Sequence, residues 1–205
     1  KQKKFFPLKK KFISKLKKAT LILNKTDLKV AIENHQDLSS FELIKIIKSL
    51  KSKNIGITWD IGNSLATCET PDQFFQNTKN YIFNVHCKNY KIILSNNGFF
   101  LKRSRINEGS INIKKYIKFF KKKKINISLE LAAHVNRHCD LHEIKFLKYH
   151  NIPKKRLQIF KMYIVKNSTK ETPFTDWELY KKINLSAISE LNDFNKSLKK
   201  LKGYG

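Results

Sequence analysis

Apolar residues fall in short runs along this chain, and four of the runs stop on an ionisable side chain. LKVAIE reaches Glu33, GITWD reaches Asp60, YIFNVH reaches His86 and INISLE reaches Glu130. Each run is rich in β-branched or aromatic residues, which predicts strands over residues 28–33, 54–60, 81–87 and 125–131. Between the runs the apolar positions recur at helical spacing. Residues 8–24 predict an amphipathic helix with a lysine face. Ser39, with Glu42 three residues on, predicts a helix start, and that helix runs to about Lys51. Thr70-Pro71-Asp72 opens another, and IKKYIKFFKKKK predicts one more before the last strand. Such alternation predicts an α/β fold with a parallel sheet and right-handed crossovers.

The regular pattern is interrupted once. Lys91–Ser95 and Phe99–Arg103 flank Asn96-Asn97-Gly98, which predicts an inserted β-hairpin. Beyond Leu131 the pattern weakens. It predicts a helix over about 140–150, a strand over RLQIFKMYIV (156–165) and a terminal helix near 184–201. No internal repeat and no Gly/Ser-rich linker divides the chain, so residues 1–205 read as one domain. A strand with its helix takes roughly 30 residues, so four units make half of an eight-stranded barrel of about 250 residues.

A buried strand gains nothing from ending in a charge unless that charge acts at the rim. Equivalent strand ends of a parallel barrel converge on one face. Glu33, Asp60, His86 and Glu130 therefore predict one metal site. Three carboxylates and an imidazole suit Mn²⁺, Mg²⁺ or Co²⁺ before Zn²⁺. Cys68, Cys87 and Cys139 lack the spacing of a structural zinc site.

Composition changes the picture little. The formal net charge of +27 raises a nucleic-acid reading. Only Arg103, Arg105, Arg137 and Arg156 of the 43 basic residues are arginine, the residue that base and phosphate readers favour. Lys, Asn and Ile are spread along the whole chain, so the charge reads first as compositional bias. No run approaches the roughly 20 apolar residues of a membrane span, and the basic start lacks the apolar core of a signal peptide. Three cysteines, an odd number, predict a reducing cytoplasm without a disulfide framework. The only methionine is Met162, which leads us to expect a segment of a longer chain.

VAIENH, TWDIGN, NVHCKN and SLEL resemble, in that order, the last four strands of the xylose isomerase-like TIM-barrel superfamily. The likeness is nearest to its sugar phosphate isomerases and epimerases and runs over about residues 8–131. It implies the C-terminal half of a (β/α)8 barrel, with the preceding strands missing. It also implies Glu33, Asp60, His86 and Glu130 as metal ligands, with Glu33 and Glu130 as the two proton carriers. The implied activity is a divalent-metal-dependent isomerase or epimerase of a sugar or sugar phosphate, working through a stabilised enediolate. The same chemistry would serve a sugar-acid lyase or decarboxylase. Endonuclease IV shares the fold, but its ligand-rich motifs do not follow Asp60 or His86 here. An inactive fragment is a further alternative.

The chain departs from its relatives at two positions. Asn89 stands where the HxKD pattern has Asp, and Asn63 stands where epimerases often place a His. His35, Asn63, Lys88, Arg103 and Arg105 are the candidate substrate-binding residues, and His134, Arg137 and His138 the candidate rim loop. The first strand is expected to carry an open edge, which favours association with another copy as a homo-oligomer.

Overall fold

Two side chains start the helices that cover the sheet. Ser39 accepts the Glu42 amide and Glu42 returns a bond to the Ser39 amide, opening α2 (Ser40–Leu50) with a closed capping box. Thr70 and Gln73 repeat the device at α3 (Pro71–Thr78), with Pro71 in the first turn. The computed structural model describes residues 2–131, 135–143, 147, 151–180 and 183–204. Ahead of these helices lies α1 (Gln2–Leu23), which begins earlier than the apolar spacing suggested.

The predicted strands are β1 (Val30–Glu33), β2 (Ile55–Asp60), β3 (Ile82–Cys87) and β6 (Asn126–Leu129). They form one parallel sheet in the order β1-β2-β3-β6. Parallel partners in register share a face, and side chains alternate along each strand. Glu33 pairs with Thr58, Asp60 with His86, and His86 with Ser128. Glu33, Asp60 and His86 therefore project from one face, and Glu130 continues the alternation two residues past Ser128.

The opposite face is the core. Ile57, Trp59 and Val85 are fully buried there. Trp59 stacks on Phe74 of α3 at 5.7 Å and meets the edge of Tyr116 at 4.9 Å. Tyr116 belongs to α4 (Lys114–Lys122), which buries Ile117 and Phe120 on the same side. The sheet thus has an oily side under helices and a polar side that carries the strand-end residues. Among the described residues β1 pairs only with β2, so its outer edge has no strand partner.

The hairpin is β4 (Asn89–Ser95) and β5 (Gly98–Ser104). Gly98 is not its turn residue, since no described glycine has positive φ. It pairs with Asp140, where a β-carbon would strike the Cys139 carbonyl oxygen. That neighbour is β7 (Arg137–Asp140), antiparallel to β5, a strand the sequence pattern did not predict. The helix expected over 140–150 falls largely on residues outside those described.

One prediction is overturned. RLQIFKMYIV is not a strand but most of α5 (Lys154–Lys166), which follows Pro153. Its buried positions are Phe160 and Ile164, one helical turn apart, while Met162 and Val165 are exposed. The apolar run is helical in period, and its β-branched content misled. After α6 (Asp176–Tyr180), the terminal helix α7 spans Ile183–Lys202. No described helix is long and apolar enough to cross a membrane.

Candidate metal centre

Backbone pairing sets the four strand ends at one level. Asn34, directly after Glu33, is buried and uses its side-chain amide as a piece of ladder. Its Oδ1 accepts the Asp60 amide at 2.7 Å and its Nδ2 donates to the Asp60 carbonyl at 3.0 Å. Beyond β6, the Glu130 amide donates to the Cys87 carbonyl at 3.1 Å. The result is that one donor atom from each of Glu33, Asp60, His86 and Glu130 lies within 4.8 Å of the others.

The oxygens of this cluster divide into two groups. Lys88 Nζ lies 2.8 Å from Asp60 Oδ2 and 2.5 Å from Glu130 Oε1. Asn63 Nδ2 donates to the same Asp60 Oδ2 at 2.7 Å. Asp60 Oδ1 is buried and makes no hydrogen bond. His86 Nδ1 lies 2.7 Å from Glu130 Oε2 and 3.7 Å from Glu33 Oε1, yet makes a hydrogen bond with neither. A buried carboxylate oxygen and a ring nitrogen are costly to leave unbonded. A cation shared by the four residues satisfies both. Three carboxylates with one imidazole form a donor set for a divalent ion with a preference for oxygen, so the residues fit a metal.

Charge is tightly managed here. Burial pushes the Asp60 carboxyl up to about 6, with Lys88 opposing. Burial also works against the Lys88 ammonium, but Asp60 and Glu130 outweigh it and hold its pKa above the ordinary range. Burial would raise Glu130 as well, and its bond to Lys88 more than offsets that. All three groups are charged at neutral pH.

The expected substrate-binding residues are scattered more widely. His35 is exposed at the rim, near enough for its charge to act on Glu130. Asn63 is buried and its amide is taken up by protein groups, its Oδ1 accepting from Gln36 at 2.9 Å and Tyr90 at 3.3 Å. Lys88 is buried against the carboxylates. Arg103 and Arg105 both pair with Asp193 of α7, at 3.3 and 2.7 Å. His138 packs against Phe100 in the antiparallel sheet, and His134 lies outside the described residues. Arg137 donates to Gln36 Oε1 at 2.5 Å, which ties β7 to the loop after β1.

Sequence reasoning missed Gln36, whose φ of 59° places it in the left-handed region. It also missed Glu69, a buried carboxylate that accepts the Ser40 amide at 2.7 Å and anchors the start of α2. Neither sits in a motif, and no local pattern could have marked them.

Asn89, which stands where the HxKD pattern has Asp, uses both ends of its side-chain amide. Its Nδ2 donates to the carbonyls of Ile106 and Ile111, and its Oδ1 accepts the amides of Tyr90 and Ile111. It organises the loop after the hairpin. Asn89→Asp sets a carboxylate oxygen against two carbonyl oxygens and is expected to cost at least about 2 kcal/mol in urea denaturation. An unchanged midpoint would show that the loop does not need the amide.

An uncharacterized protein of Methanocaldococcus jannaschii is 32% identical over 94 residues, which is 42% of this chain and 30% of that protein. Similar solved structures include the xylose isomerase domain protein from Planctomyces limnophilus. It has a TM-score of 0.47 at 14% identity, over 77% of this chain and 53% of that one. Another is the probable 3-DHS dehydratase AsbF, involved in petrobactin synthesis, from Bacillus anthracis. It has a TM-score of 0.49 at 13% identity, over 78% of this chain and 56% of that one. The chain thus spans about a third to just over half the length of these relatives. Residues 8–150 match the xylose isomerase-like TIM barrel family, and this chain belongs to it.

Proposed function

We propose that this protein is a divalent-metal-dependent isomerase or epimerase of a sugar or sugar phosphate. The family consists mostly of enzymes, isomerases and epimerases among them, and these act on small sugar-like molecules. The observation that carries the reading is the convergence of Glu33, Asp60, His86 and Glu130 donor atoms within 4.8 Å, two of them on buried atoms with no hydrogen bond.

A bound divalent ion would stabilise negative charge developing on adjacent sugar oxygens during proton removal. The chain's own residues divide the remaining tasks. Asp60 and His86 hold position: Asp60 is fully buried, and His86 sits between Glu33 and Glu130. Glu33 is the less encumbered carboxylate. Its one ion-pair contact among the described residues is His86 at 3.7 Å, and about a third of its side chain is exposed. It is placed to take a proton from a substrate carbon. Glu130 is held by both Lys88 and His86. It is the group that returns the proton from the other side, with its carboxyl held below the usual range by Lys88.

The test is hydrogen exchange in D₂O. The protein is incubated with aldoses, ketoses and their phosphates, with Mn²⁺, Mg²⁺ or Co²⁺, and followed by NMR. Deuterium should enter at the carbon beside the carbonyl, and EDTA should stop it. Elimination of water instead would move the assignment to a lyase. No exchange with any sugar would overturn it. Metal affinity supplies a second expected result. Since Asp60 takes up a proton near pH 6, Mn²⁺ affinity should fall about tenfold for each pH unit below that value. A flat profile between pH 4 and 6 would show that Asp60 is no ligand.

A further inference from the structure

Lys88 is a buried lysine of the site, with 4% of its side chain exposed. Its ammonium takes one oxygen of Asp60 and one of Glu130, and the other oxygen of each is outside its reach as a partner. Glu130 Oε2 faces His86, and Asp60 Oδ1 is without a bond. Asn63 reinforces the division by donating to the Asp60 oxygen that Lys88 already holds.

We propose that Lys88 is a built-in counter-cation that sets the charge of the metal centre, and not a substrate-binding residue. The proposal rests on the metal-centre reading given above. Three carboxylates carry three negative charges. Lys88 cancels one, so the ligand set presents two, which a divalent ion neutralises and a trivalent ion overfills. By occupying one oxygen of each carboxylate, the ammonium also leaves Asp60 and Glu130 one oxygen apiece for an ion. Lys88 is thus a positioning residue, acting on the ion through Asp60 and Glu130.

The test compares ions of different charge at one site. Mn²⁺ binding is read from the loss of the free-ion signal in electron paramagnetic resonance, and Tb³⁺ binding from luminescence lifetime. Both are measured on the wild type, Lys88→Met and Lys88→Arg, with circular dichroism to confirm folding. Removing a unit charge a few ångströms from the ion should raise the ratio of Tb³⁺ to Mn²⁺ affinity by at least about tenfold in Lys88→Met. Lys88→Arg keeps the charge and should leave the ratio within about threefold, since the charge term is unaltered. A wild-type ratio in a folded Lys88→Met overturns the proposal and leaves the metal centre standing. So does a shifted ratio in Lys88→Arg, which remains decisive if Lys88→Met does not fold. A wild type that binds neither ion overturns the metal-centre reading and this proposal with it.

Discussion

Asp60→Ala is expected to destabilise the metal-free protein by about 3 kcal/mol, the cost of stranding half of a buried ion pair. Asp60 is fully buried, and Lys88 has only 4% of its side chain exposed. Without Asp60, the ammonium keeps Glu130 but loses its inner partner at 2.8 Å. Asn63 Nδ2 loses its acceptor as well. For a chain of this length the thermal midpoint should drop on the order of 10 °C. Removing the stranded charge should restore part of the loss, so Asp60→Ala/Lys88→Met should be more stable than Asp60→Ala alone. If the double variant is no better, the penalty comes from the cavity and not from the unpaired ammonium.

The larger functional effect is expected at Glu33. Glu33→Gln keeps the volume at the rim and should leave the fold intact, while proton exchange at the substrate carbon falls by about 10²–10⁴-fold. His86 stands between the two carboxylates, so in the proposed reaction each would serve one face of the substrate carbon. Glu33→Gln should lose label exchange from one epimer and keep it from the other, and Glu130→Gln should do the reverse. His86→Ala should act through the metal alone, and excess Mn²⁺ should recover part of its activity. Should both Glu variants lose exchange from both epimers equally, or should Mn²⁺ rescue them as fully as His86→Ala, the two-base assignment fails. Both would then be ligands only.

The convergence of the four strand ends was legible because burial and alternation constrain a strand so strongly. An apolar run can end on Glu33 or Asp60 only where the side chain has somewhere polar to point. Once the sheet is parallel, register puts those ends on one face. The helix starts at Ser39 and Thr70 were legible for a similarly local reason, since a capping box closes within four residues. Lys88 was visible as a position but not as a role. Its partners Asp60 and Glu130 lie far along the chain in opposite directions, and one lysine among so many carries no sign of burial. Arg103 and Arg105 stand out as substrate-binding candidates because arginine is scarce, yet their counter-charge is Asp193, a residue of a terminal helix with no motif. The strand at Arg137–Asp140 was invisible because only Cys139 is buried in it. RLQIFKMYIV misled because its composition is that of a strand while its burial follows a helix.

The bond between the hairpin and α7 has a consequence for the order in which the molecule forms. Arg105 meets Asp193 across 88 positions of chain. At a synthesis rate of about 5–20 residues per second, the two arginines leave the ribosome roughly 4 to 18 seconds before their carboxylate. By then the described strands of the parallel sheet have been made, and the hairpin, a local structure, closes in microseconds. The tail therefore docks on a sheet whose site residues are already in place. Its contacts are long-range ones formed late, so weakening Asp193 should speed unfolding far more than it slows folding.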